Sequence, residues 1–458
     1  HPKPASPSTW ATSSIPPAAS TKREGASSTT PATPTSATKG QKGAAVQSST
    51  GATTATTPPE SPRSSSEAAF RRVRALEEQV KTDGACTLPG VSIAYELFMP
   101  IMMRAVARGY VRQEHADFVA NGLRFGFDLG VDVSKLRGRR LFRNYPTALE
   151  ARAAVTKATR ARVEQGKSLQ LFPFRAEDRT MLDRWPSWRI FPMGAVPKPM
   201  EPGEMRPFSD HSKTGMKDAT DLELFRHTLT ALKDIARFLK HMFYMRVSDV
   251  DAAFPLLPIA PRLWRFMLFI WFDVQPGDEA SRLTWLYMHV CGDFGSAGLP
   301  GTWKIFFTDV VMGMARSEMV LTLEAPIYVD DISLIGELQR MVDSEGAALT
   351  AFLRELGIYI KEIKDRAAAQ VQLALGFWWD SVNRTRTLSE RKQQEYVAML
   401  REFETRRTLT LRERQQVAGR MQRAVMTMPP GAACFMATMY SLMRGLSLPW
   451  QSRRTTRA

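Results

Sequence analysis

The chain has 458 residues, enough for two or three domains with a substantial core, and its start at His1 suggests a fragment of a longer protein. Its formal net charge of +16 favours a polyanionic partner, usually nucleic acid, with an anionic membrane surface as the alternative. No apolar run reaches the roughly 18 residues needed to cross a bilayer, and no secretory signal is recognisable, so we expect an intracellular protein without a membrane partner. The three scattered cysteines argue against a disulfide framework or a zinc site.

The first 66 residues form a tail of Ser, Thr, Ala and Pro with hardly any large apolar side chain. Such a composition buries too little apolar surface to fold, so the tail is expected to be disordered. It contains six basic and two acidic residues, so most of the basic excess belongs to the remaining chain.

Helical patterns dominate the segment after the tail. "LFMPIMMRAVARGY" predicts a helix and "NGLRFGFDLG" a turn-rich stretch. "PTALEARAAVTKATRARVEQGK" has Pro near its start and Gly just past its end, which is the punctuation of a further helix.

A Pro-rich extended stretch, "RIFPMGAVPKPMEPGEMRPFSDHSK", leads to an amphipathic helix that should end near Lys240. Beyond it, strand-like segments such as "FYMRVSDVDAAFPLLPI", "APIYVDDISLIG" and "VQLALGFWWDS" alternate with helical ones such as "TWKIFFTDVVMGMA" and "EGAALTAFLRELG". This alternation, without a repeated unit, predicts a mixed α/β or α+β architecture. The amphipathic helix is predicted from apolar residues at steps of three and four: Leu222, Phe225, Leu229, Leu232, Ile235 and Leu239.

Acidic residues occur in two of the strand-like segments. Asp249 closes "MRVSD", and Asp330 and Asp331 lie 81 and 82 residues later inside "PIYVDDISLIG", an interval long enough to bring both strands into one sheet. Clustered carboxylates repel one another unless a divalent cation such as Mg²⁺ neutralises them. Two such ions would support nucleotidyl transfer. The alternatives are a polar turn for the Asp-Asp pair and a strand-end cap for Asp249.

Six segments resemble those of reverse transcriptases, in that family's order, across roughly residues 190 to 392. They are "AVPKPMEPGEMRPFSDHS", "SDVDAAFPLLPI", "FGSAGLPGTWKIFF", "YVDD", "ELGIYIKEIK" and "ALGFWWDS". The flanking "NGLRFGFDLG" and "LTLRERQQVAGRMQRAVMTMPPGAACFMATMYSLMRGL" are similar to sequences of DIRS-like, tyrosine-recombinase retrotransposons.

The resemblance implies an α+β, right-hand polymerase fold with a ferredoxin-like palm, fingers and a helical thumb, plus the disordered N-terminal tail. The implied domains are the tail (1–66), a mainly helical N-terminal extension (67–180), fingers (181–245), a palm with inserted fingers elements (246–365), a primer-grip hairpin (366–383), and a basic helical thumb with the start of a connection to a missing ribonuclease H (384–458).

The implied function is that of an RNA-directed DNA polymerase from a retrotransposon polyprotein, adding deoxynucleotides to a primer 3′ end by two-metal catalysis. Its partners would be an RNA template, a DNA primer, their RNA/DNA hybrid and deoxynucleoside triphosphates. Asp249, Asp330 and Asp331 would be catalytic and, with the Val250 carbonyl, would hold two Mg²⁺ ions or Mn²⁺ in their place.

The resemblance also assigns nucleotide-binding residues. Lys198 and Arg206 would contact the triphosphate, and Phe254 would block a ribose 2′-hydroxyl; a core phenylalanine is the alternative. Lys364 would lie near the pyrophosphate, with Lys361 as a competing choice and a solvated helix-end cation as the alternative for both. The Gly/Pro segment, including Gly295 and Pro300, would approach base and template, although no Gln follows the proline and a flexible loop would explain the glycines too.

Nucleic-acid contacts are implied for the turn and the primer grip. Tyr328 and Val329 would lie near the primer end, or be ordinary strand residues. Only one of two adjacent tryptophans on a strand can face the core, so the other would contact the primer. The implied nucleic-acid contacts are Tyr328, Val329, Gly376, Trp378, Trp379 and, in the basic thumb, Lys392.

Two rivals belong to other classes. The first is a catalytically inactive or domesticated remnant that binds RNA or hybrid duplex, against which the three intact carboxylates weigh. The second is a structural protein of a mobile-element particle that packages RNA, which predicts assembly and no need for Asp249. An RNA-templated RNA polymerase is disfavoured by Phe254.

Overall fold

A computed structural model of the chain describes most of it beyond the N-terminal tail. Of the predicted tail, only the last residues fall within the described part, and they are helical because the first helix begins at Pro62. The described residues are 62–198, 203–225, 231–274, 283–406, 408–428, 431–441 and 443–454.

Helices make up most of the described residues from 62 to 164 and from 390 onward. An eight-residue π-helical stretch, Lys304–Val311, joins α9 to α10, so the two run on as one continuous helix. The α-helices of the described residues are α1 Pro62–Thr82, α2 Tyr95–Ala107, α3 Gln113–Phe125, α4 Pro146–Glu150, α5 Arg152–Glu164, α6 Met216–Ala219, α7 Ala231–Phe238, α8 Pro261–Trp264, α9 Leu299–Trp303, α10 Met312–Ser317, α11 Gln339–Glu355, α12 Glu390–Thr405, α13 Leu411–Val425 and α14 Cys434–Ser441.

Short strands form the sheets between these helices. The strands of the described residues are β1 Arg139–Leu141, β2 Ser168–Pro173, β3 Trp188–Ile190, β4 Met193–Pro197, β5 Met205–Ser209, β6 Tyr244–Asp249, β7 Leu268–Phe272, β8 Thr284–His289, β9 Ile327–Tyr328, β10 Asp331–Gly336, β11 Arg366–Ala369, β12 Val371–Ala374, β13 Phe377–Asp380, β14 Thr385–Leu388, β15 Thr408–Thr410 and β16 Ser452–Arg454.

The strands are grouped into five sheets. A five-stranded sheet has the order β1-β3-β7-β8-β2, a four-stranded sheet the order β11-β6-β10-β9, and a three-stranded sheet the order β12-β13-β14. β4 with β5, and β15 with β16, form two-stranded sheets. The mixed α/β architecture expected from the alternating patterns is therefore confirmed.

The four-stranded sheet lies between two hydrophobic cores. Ile332 and Leu334 of β10 belong to the large core that also contains residues of α11. Met245 and Val247 of β6 and Ile335 of β10 belong to a second core, shared with the three-stranded sheet. Burial on both faces fixes the register of these strands, because a one-residue slip would exchange the two faces.

Two predicted elements differ from the observed ones. The described part of the amphipathic helix is Ala231–Phe238, whereas Leu222 and Phe225 lie in a turn region that contacts Gly130: the Asp221 amide donates to the Gly130 carbonyl at 2.9 Å. The rest of the interval, including Leu229, falls outside the described residues. The "NGLRFG" half of the predicted turn is helical to Phe125, and its glycine, Gly122, leaves room for the Phe127 ring, which would be 2.1 Å from a Cβ atom.

Candidate active site

The acidic pair occupies a tight β-hairpin. β9 and β10 pair in antiparallel register, with Tyr328 opposite Asp331, so Val329 and Asp330 form a two-residue loop. Val329 has a φ of 56°, an unusual conformation for a β-branched residue, and the positive φ at the first loop position is that of a type II′ hairpin turn. Strain of this kind persists only where surrounding contacts fix the backbone.

Two hydrogen bonds from other segments hold this turn. The buried indole of Trp303, at the end of α9, donates through Nε1 to the Val329 carbonyl at 2.7 Å. The Val250 amide, directly after β6, donates to the Asp330 carbonyl at 2.8 Å. The turn is therefore tied both to the helix behind it and to the end of the neighbouring strand.

The third carboxylate lies directly beside the turn. β6 and β10 pair antiparallel with Asp249 opposite Asp331, and residues paired in this way have Cβ atoms about 4.5–5.5 Å apart. Because side chains alternate between faces, Asp249 and Asp331 share the face of Met245 and Val247 and continue it beyond the second core. The sheet thus brings Asp249 together with Asp330 and Asp331, which follow it by 81 and 82 residues in the sequence.

Burial and mutual repulsion make Asp330 and Asp331 reluctant to ionise. Burial, followed by the neighbouring charges of Asp330 and Asp249, raises the pKa of Asp331 to about 7. Burial and the charge of Asp249 also raise the pKa of Asp330. Asp249 itself is only 3% exposed. The cluster is therefore poised to take up positive charge.

Two lysines supply positive charge to Asp249. Lys361 Nζ lies 2.7 Å from Asp249 Oδ1, and Lys364 Nζ lies 2.7 Å from Asp249 Oδ2. Burial opposes the charge of Lys364, but the hydrogen bond and charge of Asp249 outweigh it, so the pKa of Lys364 is raised. The sequence left Lys361 and Lys364 as competing choices, and the structure places both at the same carboxylate.

The donor set has the chemistry that Mg²⁺ requires. Carboxylate oxygens, with a backbone carbonyl, are the ligands a hard divalent cation prefers, and an ion would relieve the repulsion that raises the two pKa values. In the described residues, no group of three His, Cys, Asp or Glu side chains is arranged to hold a metal ion. Both Asp249 oxygens lie against lysine ammonium groups instead. A cation at Asp249 would therefore exchange with the ammonium groups.

The residues assigned to triphosphate binding lie on a separate hairpin, β4–β5. Arg206 is exposed on β5, opposite Val196. Lys198 follows β4, and its Nζ lies 3.7 Å from a Glu204 carboxylate oxygen. Asp210, after β5, accepts hydrogen bonds from the Tyr145 hydroxyl at 2.5 Å and from a backbone amide at 3.1 Å. Contact of Lys198 and Arg206 with a nucleotide stays a prediction.

Phe254 and the Gly/Pro segment pack tightly against protein. Phe254 is buried, with its ring centroid 5.2 Å from that of the half-exposed Phe294. Gly295 has a φ of 131°, and a Cβ there would lie 2.1 Å from the Ser209 carbonyl oxygen. Pro300 is in the first turn of α9 and is partly buried. The lack of a side chain at Gly295 therefore allows the backbone at the end of β5 to pack against it. The approach of Gly295 and Pro300 to a base or template stays a prediction.

The hairpin assigned to the primer grip exposes one tryptophan and buries the other. Leu375 and Gly376 form its two-residue turn with φ of 51° and 78°, as a type I′ turn requires. Trp379 is 0% exposed in the second core, whereas Trp378 is 40% exposed. A Cβ on Gly376 would lie 2.6 Å from Lys392 Nζ, so the lack of a side chain at Gly376 leaves room for the Lys392 ammonium group. Trp378 is thus the tryptophan free to meet a ligand.

Sequence reasoning missed several residues that support the site. Trp303 holds the turn, and Arg246 and Asp365 form an ion pair on the opposite face of the sheet, with Arg246 Nη2 2.6 Å from Asp365 Oδ2. One signal was present in the sequence: Arg246 is a charged residue between the apolar Met245 and Val247 of a strand, where burial requires a partner.

The class defined by fold and site is a mixed α/β protein with an acidic hairpin turn beside two lysines. Neither a known protein family nor a curated protein matches its sequence. Among the described residues, no helix is long and apolar enough to cross a membrane.

Solved structures of foamy viral protease-reverse transcriptase are similar to the chain. One, in complex with double-stranded DNA and designated dRH, has a TM-score of 0.48 and 17% identity over 68% of this chain and 47% of its own. A second complex with double-stranded DNA has a TM-score of 0.47 and 18% identity, and the match covers 69% of this chain and 56% of that one. A complex with RNA/DNA hybrid has a TM-score of 0.47 and 14% identity, and the match covers 78% of this chain and 44% of that one. The chain spans about half the length of these proteins, and at these TM-scores the similarity assigns it no activity.

Proposed function

We propose that the chain is an RNA-directed DNA polymerase of a retrotransposon that adds deoxynucleotides to a primer 3′ end. The observation that carries the proposal is the pairing of Asp249 with Asp331 next to the Asp330 turn. The ordered motifs around these residues, from "AVPKP" to "ALGFWWDS", support the same reaction. The DIRS-like group is proposed on the flanking sequences alone.

In this proposal the acidic residues bind metal and the lysines contact the substrate phosphates. Asp249, Asp330 and Asp331, with the Val250 carbonyl, would hold Mg²⁺, which supplies charge stabilisation to the attacking and leaving oxygens of an in-line displacement. Lys361 and Lys364, released from Asp249, would turn to the phosphates of the substrate, where an ammonium group stabilises negative charge and can donate a proton to pyrophosphate. Trp303 and the Val250 amide keep the turn in place throughout.

Substrate selection would rest on residues around the cluster. Phe254, five residues after Asp249, would exclude a ribose 2′-hydroxyl, and the exposed Trp378 would meet the primer. The net charge of +16 suits a template and primer rich in phosphate.

A primer-extension assay tests the proposal. With an RNA template, a DNA primer, deoxynucleoside triphosphates and Mg²⁺, the wild type should extend the primer and Asp330→Asn should not. Asp117→Asn, an exposed carboxylate on α3 whose partner is Gln113, is the matched control and should extend normally. Salt-sensitive binding of the duplex without extension in Mg²⁺ or Mn²⁺ would instead identify an inactive remnant.

A further inference from the structure

A partly buried arginine lies on the opposite face of the strand that ends in Asp249. Arg246 is three residues before Asp249, so the strand pleat points its side chain away from the acidic face. Its side chain is 13% exposed and makes a two-pronged contact with Asp365, from Nε to Oδ1 at 3.1 Å and from Nη2 to Oδ2 at 2.6 Å. Bidentate pairs of this kind fix geometry as well as charge.

The pair is part of a larger clamp. Ser248 Oγ donates to Asp365 Oδ1 at 2.7 Å, and Arg246 Nη1 donates to Asp343 Oδ1 of α11 at 3.2 Å. The same Asp343 oxygen accepts the Ala368 amide at 2.8 Å. Strand β6, helix α11 and the start of β11 are thus joined through one guanidinium.

A glycine on α11 makes room for the arginine. A Cβ atom at Gly346 would lie 2.4 Å from Arg246 Cδ and 2.6 Å from Nε. Glycine inside a helix costs about 1 kcal/mol relative to alanine. The helix therefore carries a locally unfavourable residue at the point where the arginine side chain passes.

Asp365 immediately follows the lysine turn, residues 361–364. At the other end of this turn, the Lys361 amide donates to the Asp249 carbonyl at 2.9 Å, and the Asp251 amide donates to the Tyr359 carbonyl at 2.7 Å. The turn is therefore fixed at its start by backbone pairing with the Asp249 segment and at its end by the carboxylate of Asp365. Between these anchors, both ammonium groups reach Asp249.

We propose that Arg246 and Asp365 are positioning residues, whose ion pair holds the lysine turn at the acidic cluster from the far face of the sheet. The inference rests on the proposed polymerase function, in which Lys361 and Lys364 act on the triphosphate. Neither Arg246 nor Asp365 touches substrate; they act through the lysines. Gly346 takes part by leaving the guanidinium its place.

Single-turnover incorporation of one deoxynucleotide tests the inference, because it separates rate from folding. An unfolded fraction lowers the amplitude of product formation, whereas a misplaced lysine turn lowers the rate constant. Asp365→Asn should reduce the rate constant at saturating nucleotide on the order of 10²-fold, since a displacement of about 1 Å has that cost. The double variant with Arg246→Lys should lose little more than the single ones, because both changes disrupt the same ion pair.

Gly346→Ala is a second variant that leaves both charges of the pair in the chain. Its Cβ would displace Arg246 Cδ and Nε, so the guanidinium would shift out of its pairs and the melting temperature should fall, although alanine itself favours the helix. The rate constant of the folded fraction should fall as well, in the same direction as for Asp365→Asn. A purely structural role for the pair predicts no such loss.

The control is a second bidentate pair far from the cluster. Glu318 accepts from Arg104 Nε at 3.1 Å and Nη2 at 3.0 Å, so Glu318→Gln cuts a similar contact and should leave the rate constant unchanged. Wild-type rate constants in both Asp365→Asn and Gly346→Ala would overturn the positioning role while leaving the polymerase intact. Absence of extension by the wild-type protein would overturn the proposed function and this inference with it.

Discussion

Neutralising Asp331 should stabilise the protein, and the size of the effect should depend on pH. Burial and two neighbouring carboxylates raise the pKa of Asp331 from 3.8 to about 7. A carboxyl group whose pKa is higher in the folded state binds its proton more tightly there than in the unfolded chain. Its favourable contribution is complete below pH 4 and is lost as the pH rises to 7.

The magnitude follows from the pKa difference. Each pKa unit corresponds to about 1.4 kcal/mol, so a rise from 3.8 to about 7 amounts to roughly 4 kcal/mol. Asp331→Asn mimics the protonated form at every pH. The free energy of unfolding of the variant should therefore match the wild type near pH 4 and exceed it by up to roughly 4 kcal/mol above pH 7.

Urea denaturation of both proteins from pH 4 to pH 9, without divalent cations, measures this difference. A gap that opens between pH 4 and pH 7 and then stays level supports the crowded acidic cluster. A gap that is constant with pH, or a variant less stable than the wild type at pH 8, would refute the reasoning, because Asp331 would then be ionised without cost in the folded protein.

Three further predictions concern metal, packing and ligand contact. Mg²⁺ at pH 8 should raise the melting temperature of the wild type more than that of the neutral variant, and equal shifts would argue against binding at the cluster. Gly295→Ala should cost about 2 kcal/mol or more in urea denaturation, because its φ is 131° and the Ser209 carbonyl occupies the Cβ position; an unchanged midpoint would contradict this packing. Trp379→Ala should cost about 3–5 kcal/mol of stability, whereas Trp378→Ala should leave stability near the wild-type value and weaken primer–template binding, measured by fluorescence anisotropy, by about 1–3 kcal/mol.

The acidic cluster was predictable because local patterns and chain length determine it. The sequence predicted a strand in the apolar run that ends at Asp249 and another in the segment that contains Asp330 and Asp331. Once they pair in one sheet, the alternation of side chains places the carboxylates together. The ion pairs of Asp249 with two lysines could not be predicted, because they depend on how the segment after α11 packs against β6.

Other features depend on partners distant in sequence. Alternation shows that one of Trp378 and Trp379 is buried, but only the position of the Leu375-Gly376 turn decides which. The sequence alone is consistent with Gly295 in a flexible loop or in contact with a ligand. Only the structure shows that the Ser209 carbonyl packs against it. The predicted start of the amphipathic helix at Leu222 was wrong because docking on Gly130 outweighs its local periodicity.

The most direct measurement of the central claim is single-nucleotide primer extension on an RNA template as a function of Mg²⁺ concentration. It should compare the wild type with Asp249→Asn, Asp330→Asn and Asp331→Asn. The account predicts Mg²⁺-dependent extension by the wild type and severe loss of rate in all three variants, since each removes one carboxylate from a shared site. Extension at the wild-type rate by Asp249→Asn or Asp330→Asn would contradict it.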